Sequence, residues 1–254
     1  MTGWHLGKFT PLRYRMNKFL LAITSVLFIS AFSATTAGNN NLRGDRVGWA
    51  RLKTPSPYWN RHADADPALM RFLRDSTSLN IDPTWYNADA ENLSQMCAYP
   101  FLFSQGIDTL RSSTSKTNLA EYIRRDGFLL IDACINGGVT RDPDVFLAQQ
   151  MQLLAEILPE ARVVMLPVNH NIYRCYFQIS DGKPPHTYDN NAPDPRWTKH
   201  GLYGIQIGSR LAGVITLSGL QCGWAGVPAP PRHNIACMKM LVNIYIYSMM
   251  QGSK

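Results

Sequence analysis

The chain has 254 residues, 45% of them hydrophobic, and a formal charge of +7, which is enough apolar material for one large core and a single domain behind a leader. Four of the cations, Lys8, Arg13, Arg15 and Lys18, fall in residues 1–37 with no acid among them, which leaves 21 basic against 18 acidic residues elsewhere. With no cluster of five or more Lys/Arg, that small surplus argues against a nucleic-acid partner.

The leading cations precede an uncharged apolar run, Phe19 to Phe32, and then Ser33-Ala34-Thr35-Thr36-Ala37. This is the three-part layout of a secretory signal over residues 1–37. The run is shorter than the ~20 residues a spanning helix needs, so the expectation is cleavage and export, periplasmic or extracellular. A membrane anchor through residues 19–32 is the alternative. Met16-Asn17-Lys18 resembles an ordinary signal start, which makes residues 1–15 an overextended beginning. Residues 38–46, opening on Gly38-Asn39-Asn40-Asn41, read as a flexible mature end, and 47–254 as one α/β domain.

Val47 to Leu52 alternates weakly and predicts a first strand, followed by a Pro-rich loop that carries Tyr58 and Trp59. Asp66-Pro67 predicts a helix start, with Asp as cap and Pro at the first helical position. Asn80 to Pro83 closes that region and leads to a short strand near Thr84 to Tyr86. A brief helix over 92–97 and a strand over 98–103 follow, then a helix over 115–125 with Gly127 as its stop. Next comes DGFLLIDACINGG, residues 126–138. Its apolar run without alternation suits a strand covered on both faces, ending at Asp132. Asp142-Pro143 caps another helix, with Val145, Phe146, Met151, Leu154, Ile157 and Leu158 as its apolar positions. Residues 161–166 form the next strand.

This alternation predicts a mainly parallel sheet with helices on both sides. Further on, 202–207 and 211–217 read as a β-hairpin turned at Gly208-Ser209-Arg210. Residues 219–232 read as a Gly/Pro-rich loop, and 235–250 as a closing helix packed on the domain.

Ligands of open parallel sheets sit outside the carboxyl ends of strands, so Asp132 and Cys134 are the first candidates for chemistry. Asp132 can bind a ligand or cap the next loop; Cys134 is a nucleophile only if a neighbour lowers its pKa, and otherwise a buried thiol. His170, between Asn169 and Asn171, follows the 161–166 strand. Asp132, Cys134 and His170 are the catalytic candidates. As ligand-binding candidates we take Asp132, Asn136, Asn169, His170, His186, Cys222, Trp224, Tyr58 and Trp59. Walker, G-x-G-x-x-G and G-x-S-x-G motifs are lacking, so no cofactor is expected. Five cysteines without a C-x-x-C pair, and no tight His/Cys cluster, argue against a metal and leave disulfide pairing open.

YPFLFSQG (99–106), GFLLIDAC (127–134), LPVNHNIY (166–173), DGKPP (181–185) and CGWAG (222–226), in that order, resemble the family called domain of unknown function 4159. The resemblance spans about residues 47–250. It implies a class I glutamine amidotransferase-like fold: a flavodoxin-like three-layer sandwich with a mainly parallel sheet, a C-terminal β-hairpin and a closing helix. Amidotransferases of that fold carry a Cys in a Gly-x-Cys-x-Gly elbow. Here Asp132 stands at that place, so the resemblance implies no glutaminase chemistry. Asn169 and Asn171 replace the acid and proline that usually flank the family's histidine. The expected function is binding of a small polar ligand or a cell-envelope protein at the carboxyl edge of the sheet. A hydrolase-type enzyme using Asp132, Cys134 or His170, and a membrane-tethered interaction protein, are the alternatives.

Overall fold

The strand Phe128–Asp132 is buried along its whole length, and its missing alternation has a direct cause. Leu129 and Ile131 enter one hydrophobic core while Phe128 and Leu130 enter another on the opposite face. A strand with both faces covered needs apolar residues at every position.

The computed structural model describes residues 46–135, 139–179, 182–187, 194–226 and 231–251. Its strands are β1 (Val47–Lys53), β2 (Ile81–Asp89), β3 (Phe101–Ser104), β4 (Phe128–Asp132), β5 (Ala161–Met165), β6 (Tyr203–Ile207) and β7 (Arg210–Thr216). Its helices are α1 (Asp66–Ser76), α2 (Leu93–Cys97), α3 (Ser113–Arg124), α4 (Pro143–Ile157), α5 (Pro195–Thr198), α6 (Leu220–Trp224) and α7 (Pro231–Met250). The seven strands lie in the order β2-β1-β3-β4-β7-β6-β5. Only β6 runs against its neighbours, pairing antiparallel with β5 and β7. The result is the expected three-layer α/β sandwich with a C-terminal hairpin and a final helix. Residues of α2, α3 and α4 share one core, and residues of α1, α6 and α7 the other.

Several local expectations need correction. The helix at Asp66 starts without a side-chain cap, because the Asp66 side chain turns inward to meet Arg51. The second strand is nine residues long and holds Pro83 in its interior, which is tolerated because β2 is an edge strand. At the end of α3 the left-handed residue is Asp126, with φ 65°, rather than Gly127. Gly127 serves packing instead: a Cβ there would lie 2.4 Å from the Tyr122 ring, whose hydroxyl donates to the Phe128 carbonyl. On α4, Val145 and Met151 face solvent, while Phe146, Gln150, Leu153 and Leu154 are buried. Within the predicted loop after β7 stands α6, buried at every position. The predicted leader (1–37) lies outside the described residues. Among the described residues no helix is long and apolar enough to cross a membrane.

Candidate functional site

The carboxyl end of β4 is occupied by the protein itself. Asp132 is fully buried. One of its oxygens accepts from the Leu220 amide at 3.1 Å and the other from the Gln221 amide at 2.8 Å. These are the first amides of α6, which lack partners within their own helix. Gly219 makes the arrangement possible: it precedes α6 in a left-handed conformation, φ 63°, packed against Ile135 and Thr187. Burial pushes the Asp132 carboxyl up to about 8, with the Gln221 and Leu220 amides pulling the other way. No described histidine bonds to it.

Cys134 and Cys222 are also fully buried, their sulfurs 3.9 Å apart, and none of the five cysteines is in a disulfide. Burial raises the Cys237 thiol far above its ordinary value, with Asp132 adding to the effect. Asp132, Cys134 and Cys222 are therefore brought together, but inside the core. Among the described residues, Asp132 is held by backbone amides and bonds to no histidine.

The other candidates scatter. His170 begins a short 3-10 turn, its Nδ1 accepting from the Ile172 amide at 3.2 Å, and its ring packs 5.3 Å from that of Tyr247 on α7. Burial lowers its pKa. Asn169 is exposed, with its backbone carbonyl accepting from Arg174. His186 is buried near α7 and lines a separate cavity. Trp224 plugs the sheet: its indole donates to Asp66 at 3.2 Å and stands edge-on to Trp49 and Phe103. Asn136 lies outside the described residues. Trp59 is half-buried, and Tyr58 is exposed.

Tyr58 does reach a cleft. A cavity of about 410 Å³ opens where the chain leaves β1 and β3, bounded on its other side by residues 139–142 and the first turns of α4. The order β2-β1-β3 means that the connections from β1 and β3 leave in opposite directions, which makes this the topological switch point of the sheet. Tyr58, Gln105, Asp108, Thr109, Thr140 and Arg141 supply its polar groups, and Pro57, Val145 and Phe146 its apolar wall.

The floor of the cleft is tied to the core. The Gln150 amide group is buried between helix and loop: its Oε1 accepts from the Ile107 amide at 2.7 Å, and its Nε2 donates to Asp108 at 3.0 Å. Gly106 sits between them at φ 136°, where a Cβ would meet the Asp108 carboxylate at 2.9 Å. Gln105 and Gln221 both donate to the Arg61 carbonyl, at 3.3 and 2.5 Å. That carbonyl also accepts from Arg51 at 3.2 Å. Two buried oxygens in the lining, Gln105 Oε1 and Thr109 Oγ1, have no hydrogen-bond partner. Buried polar atoms without partners are rare because each costs about 1–3 kcal/mol.

Gln105, Asp108, Thr140, Arg141 and Gln150 escaped the sequence reading. The strand over 98–103 stops just before Gln105; what was missing was that this strand borders the switch point. Among the described residues no group of three or more His, Cys, Asp or Glu is placed to hold a metal ion.

The fold and cleft define an α/β sandwich with a cavity at the carboxyl edge of its sheet. The family described as a domain of unknown function, DUF4159, matches residues 49–249. That is most of the chain, and the chain belongs to this family. No match was found among curated proteins.

Proposed function

We propose that this is an exported domain that binds a small polar ligand in the cleft between the ends of β1, β3 and β4. The observation that carries the reading is the pair of buried, unpartnered oxygens, Gln105 Oε1 and Thr109 Oγ1, in a cleft at the switch point. The Asp108 carboxylate and Arg141 guanidinium suit a ligand with both donors and acceptors, such as a sugar, polyol or amino acid. The burial of Cys134 and the absence of a nucleophile elbow support binding without glutaminase activity on an amidotransferase-like scaffold.

A thermal-shift screen of sugars, polyols and amino acids tests the cleft. Tyr58→Ala and Asp108→Asn are each expected to weaken any hit by roughly tenfold, the cost of one lost polar contact or packing surface. A ligand that binds both variants as well as it binds the unaltered protein would place the site elsewhere. Export rests on the layout of residues 1–37. N-terminal sequencing of the secreted protein is expected to begin at Gly38, and a chain that keeps residues 19–32 would favour the anchor instead.

A further inference from the structure

A second cavity, of about 460 Å³, lies between the segment carrying Lys183 and His186 and the first turns of α7, which contribute His233 and Lys239. We infer that it is a binding site for an organic phosphate, a phosphate monoester whose phosphoryl group is held between Lys183 and Lys239 beside His186.

The ring of His186 is the first reason. The residue is 6% exposed, and neither Nδ1 nor Nε2 makes a hydrogen bond of full geometry, the His200 backbone being its one polar contact. His200, the other buried histidine among the described residues, contrasts with it by bonding to the Tyr203 hydroxyl at 2.7 Å. A buried imidazole so poorly satisfied is costly, and a group entering the cavity it lines would supply the missing partner. Burial lowers its pKa to about 4, partly offset by the His200 backbone, so at neutral pH the ring is uncharged and offers one N–H.

Charge is the second reason. Lys183 and Lys239 approach from different elements, and neither makes an ion pair within the described residues. The described lining holds no carboxylate. Two ammonium groups from different elements, without a carboxylate partner among the described residues, concentrate positive potential in a concave space. A phosphate monoester brings about two negative charges and three terminal oxygens, which matches two ammonium donors and one imidazole N–H. A carboxylate would leave one of them unmatched.

Shape and rigidity come third. Lys239 Nζ stands 5.4 Å above the Phe177 ring, which holds the ammonium by its aromatic face. The opposite wall is fixed at both ends. Gly182 adopts φ 56° with its α-carbon packed so closely that a Cβ would meet the Val168 carbonyl. Thr187 donates through its backbone to Ser218 at 3.0 Å and through its hydroxyl to Gly219 at 3.2 Å. Pro184 and Pro185 between them give a stiff apolar surface. The cavity exceeds what a bare phosphate fills, which leaves room for the organic part against the prolines.

The test is calorimetric titration of the purified protein with inorganic phosphate and with phenyl phosphate, against acetate and chloride at equal ionic strength. Saturable binding of both phosphates is expected, phenyl phosphate being the tighter. Lys183→Ala and Lys239→Ala are each expected to weaken it at least tenfold, about 1.4 kcal/mol. Both lysines are exposed, so the variants should keep the melting temperature of the parent protein. The His186 ring resonances should shift on titration, and Tyr58→Ala should leave the affinity unchanged. Phosphate binding no stronger than that of acetate, binding of inorganic phosphate alone, or affinity unmoved in both lysine variants would each overturn the assignment.

Discussion

Asp66→Ala is expected to destabilise the domain by about 3–5 kcal/mol, the usual cost of stranding one member of a buried ion pair. The Arg51 and Asp66 side chains are fully buried. The guanidinium donates to both carboxylate oxygens, from Nε and from one terminal nitrogen, each at 2.6 Å. The indole groups of Trp49 and Trp224 donate to the same carboxylate at 2.9 and 3.2 Å. Arg51 also lies 4.9 Å over the Phe103 ring. Removing Asp66 therefore leaves a cation without its counter-charge and two indole N–H groups without acceptors, in a place water does not reach. Against a typical total stability of about 5–15 kcal/mol, that loss would leave much of the protein unfolded at modest urea concentrations. Removing both charges together, in Arg51→Met/Asp66→Leu, should cost less than the single change, because no bare charge remains. Urea midpoints for the two variants decide the matter. If Asp66→Ala matched the parent protein, or fell above the double variant, the network would not have the role assigned to it.

That network also shows where the sequence stopped being readable. Asp66-Pro67 has the composition of a helix start, and a helix does start there. The side chain serves another purpose, because β1 places Trp49 and Arg51 on one face, directly beneath α1 and α6. Period-two alternation gives a strand's faces, but it does not say which distant carboxylate will meet an inward arginine. Local signals were sufficient for β4, for α4 with its Asp142 cap accepting from the Val145 amide at 3.0 Å, and for the turn between β6 and β7. They could not place β7 beside β4, since strand order is settled by which buried faces fit. Gly213 records one such fit: a Cβ there would lie 2.4 Å from the Leu129 carbonyl of the adjacent strand.

The same reasoning separates the legible and illegible parts of the site. A ligand at the carboxyl edge was a sound expectation from a parallel sheet, and Tyr58 was picked out by its loop. The edge has several strand ends, however, and β4's is filled by α6, a helix of five residues, LQCGW, set between Gly219 and Gly226 in a stretch that resembles a loop. Once α6 sits over β4, the open space moves to the ends of β1 and β3. Gln105 and Asp108 then become the groups that face it.

The pH dependence of stability distinguishes the two roles that Asp132 could have had. Its folded pKa is raised from 3.8 to about 8, by burial first, with the Gln221 and Leu220 amides opposing. A raised folded pKa means that the native state holds the proton more tightly than the unfolded chain. The stabilising contribution is then complete below the unfolded value and is lost as pH rises through the folded one. Compared with Asp132→Asn, which cannot titrate, the parent protein should lose on the order of 3 kcal/mol between pH 5 and pH 8, at about 1.4 kcal/mol per pKa unit. The histidines titrate alike in both proteins and cancel from the difference. The Cys237 thiol, pushed upward by the same burial, stays neutral across this range. A carboxylate standing open in a ligand cleft would instead keep an ordinary value, and the two stability curves would run parallel above pH 5. Parallel curves would remove Asp132 from the core role and return it to the list of ligand-binding groups. Diverging curves, with unchanged ligand affinity at the cleft of Tyr58 and Asp108, would fix it as the clamp that holds α6 over β4.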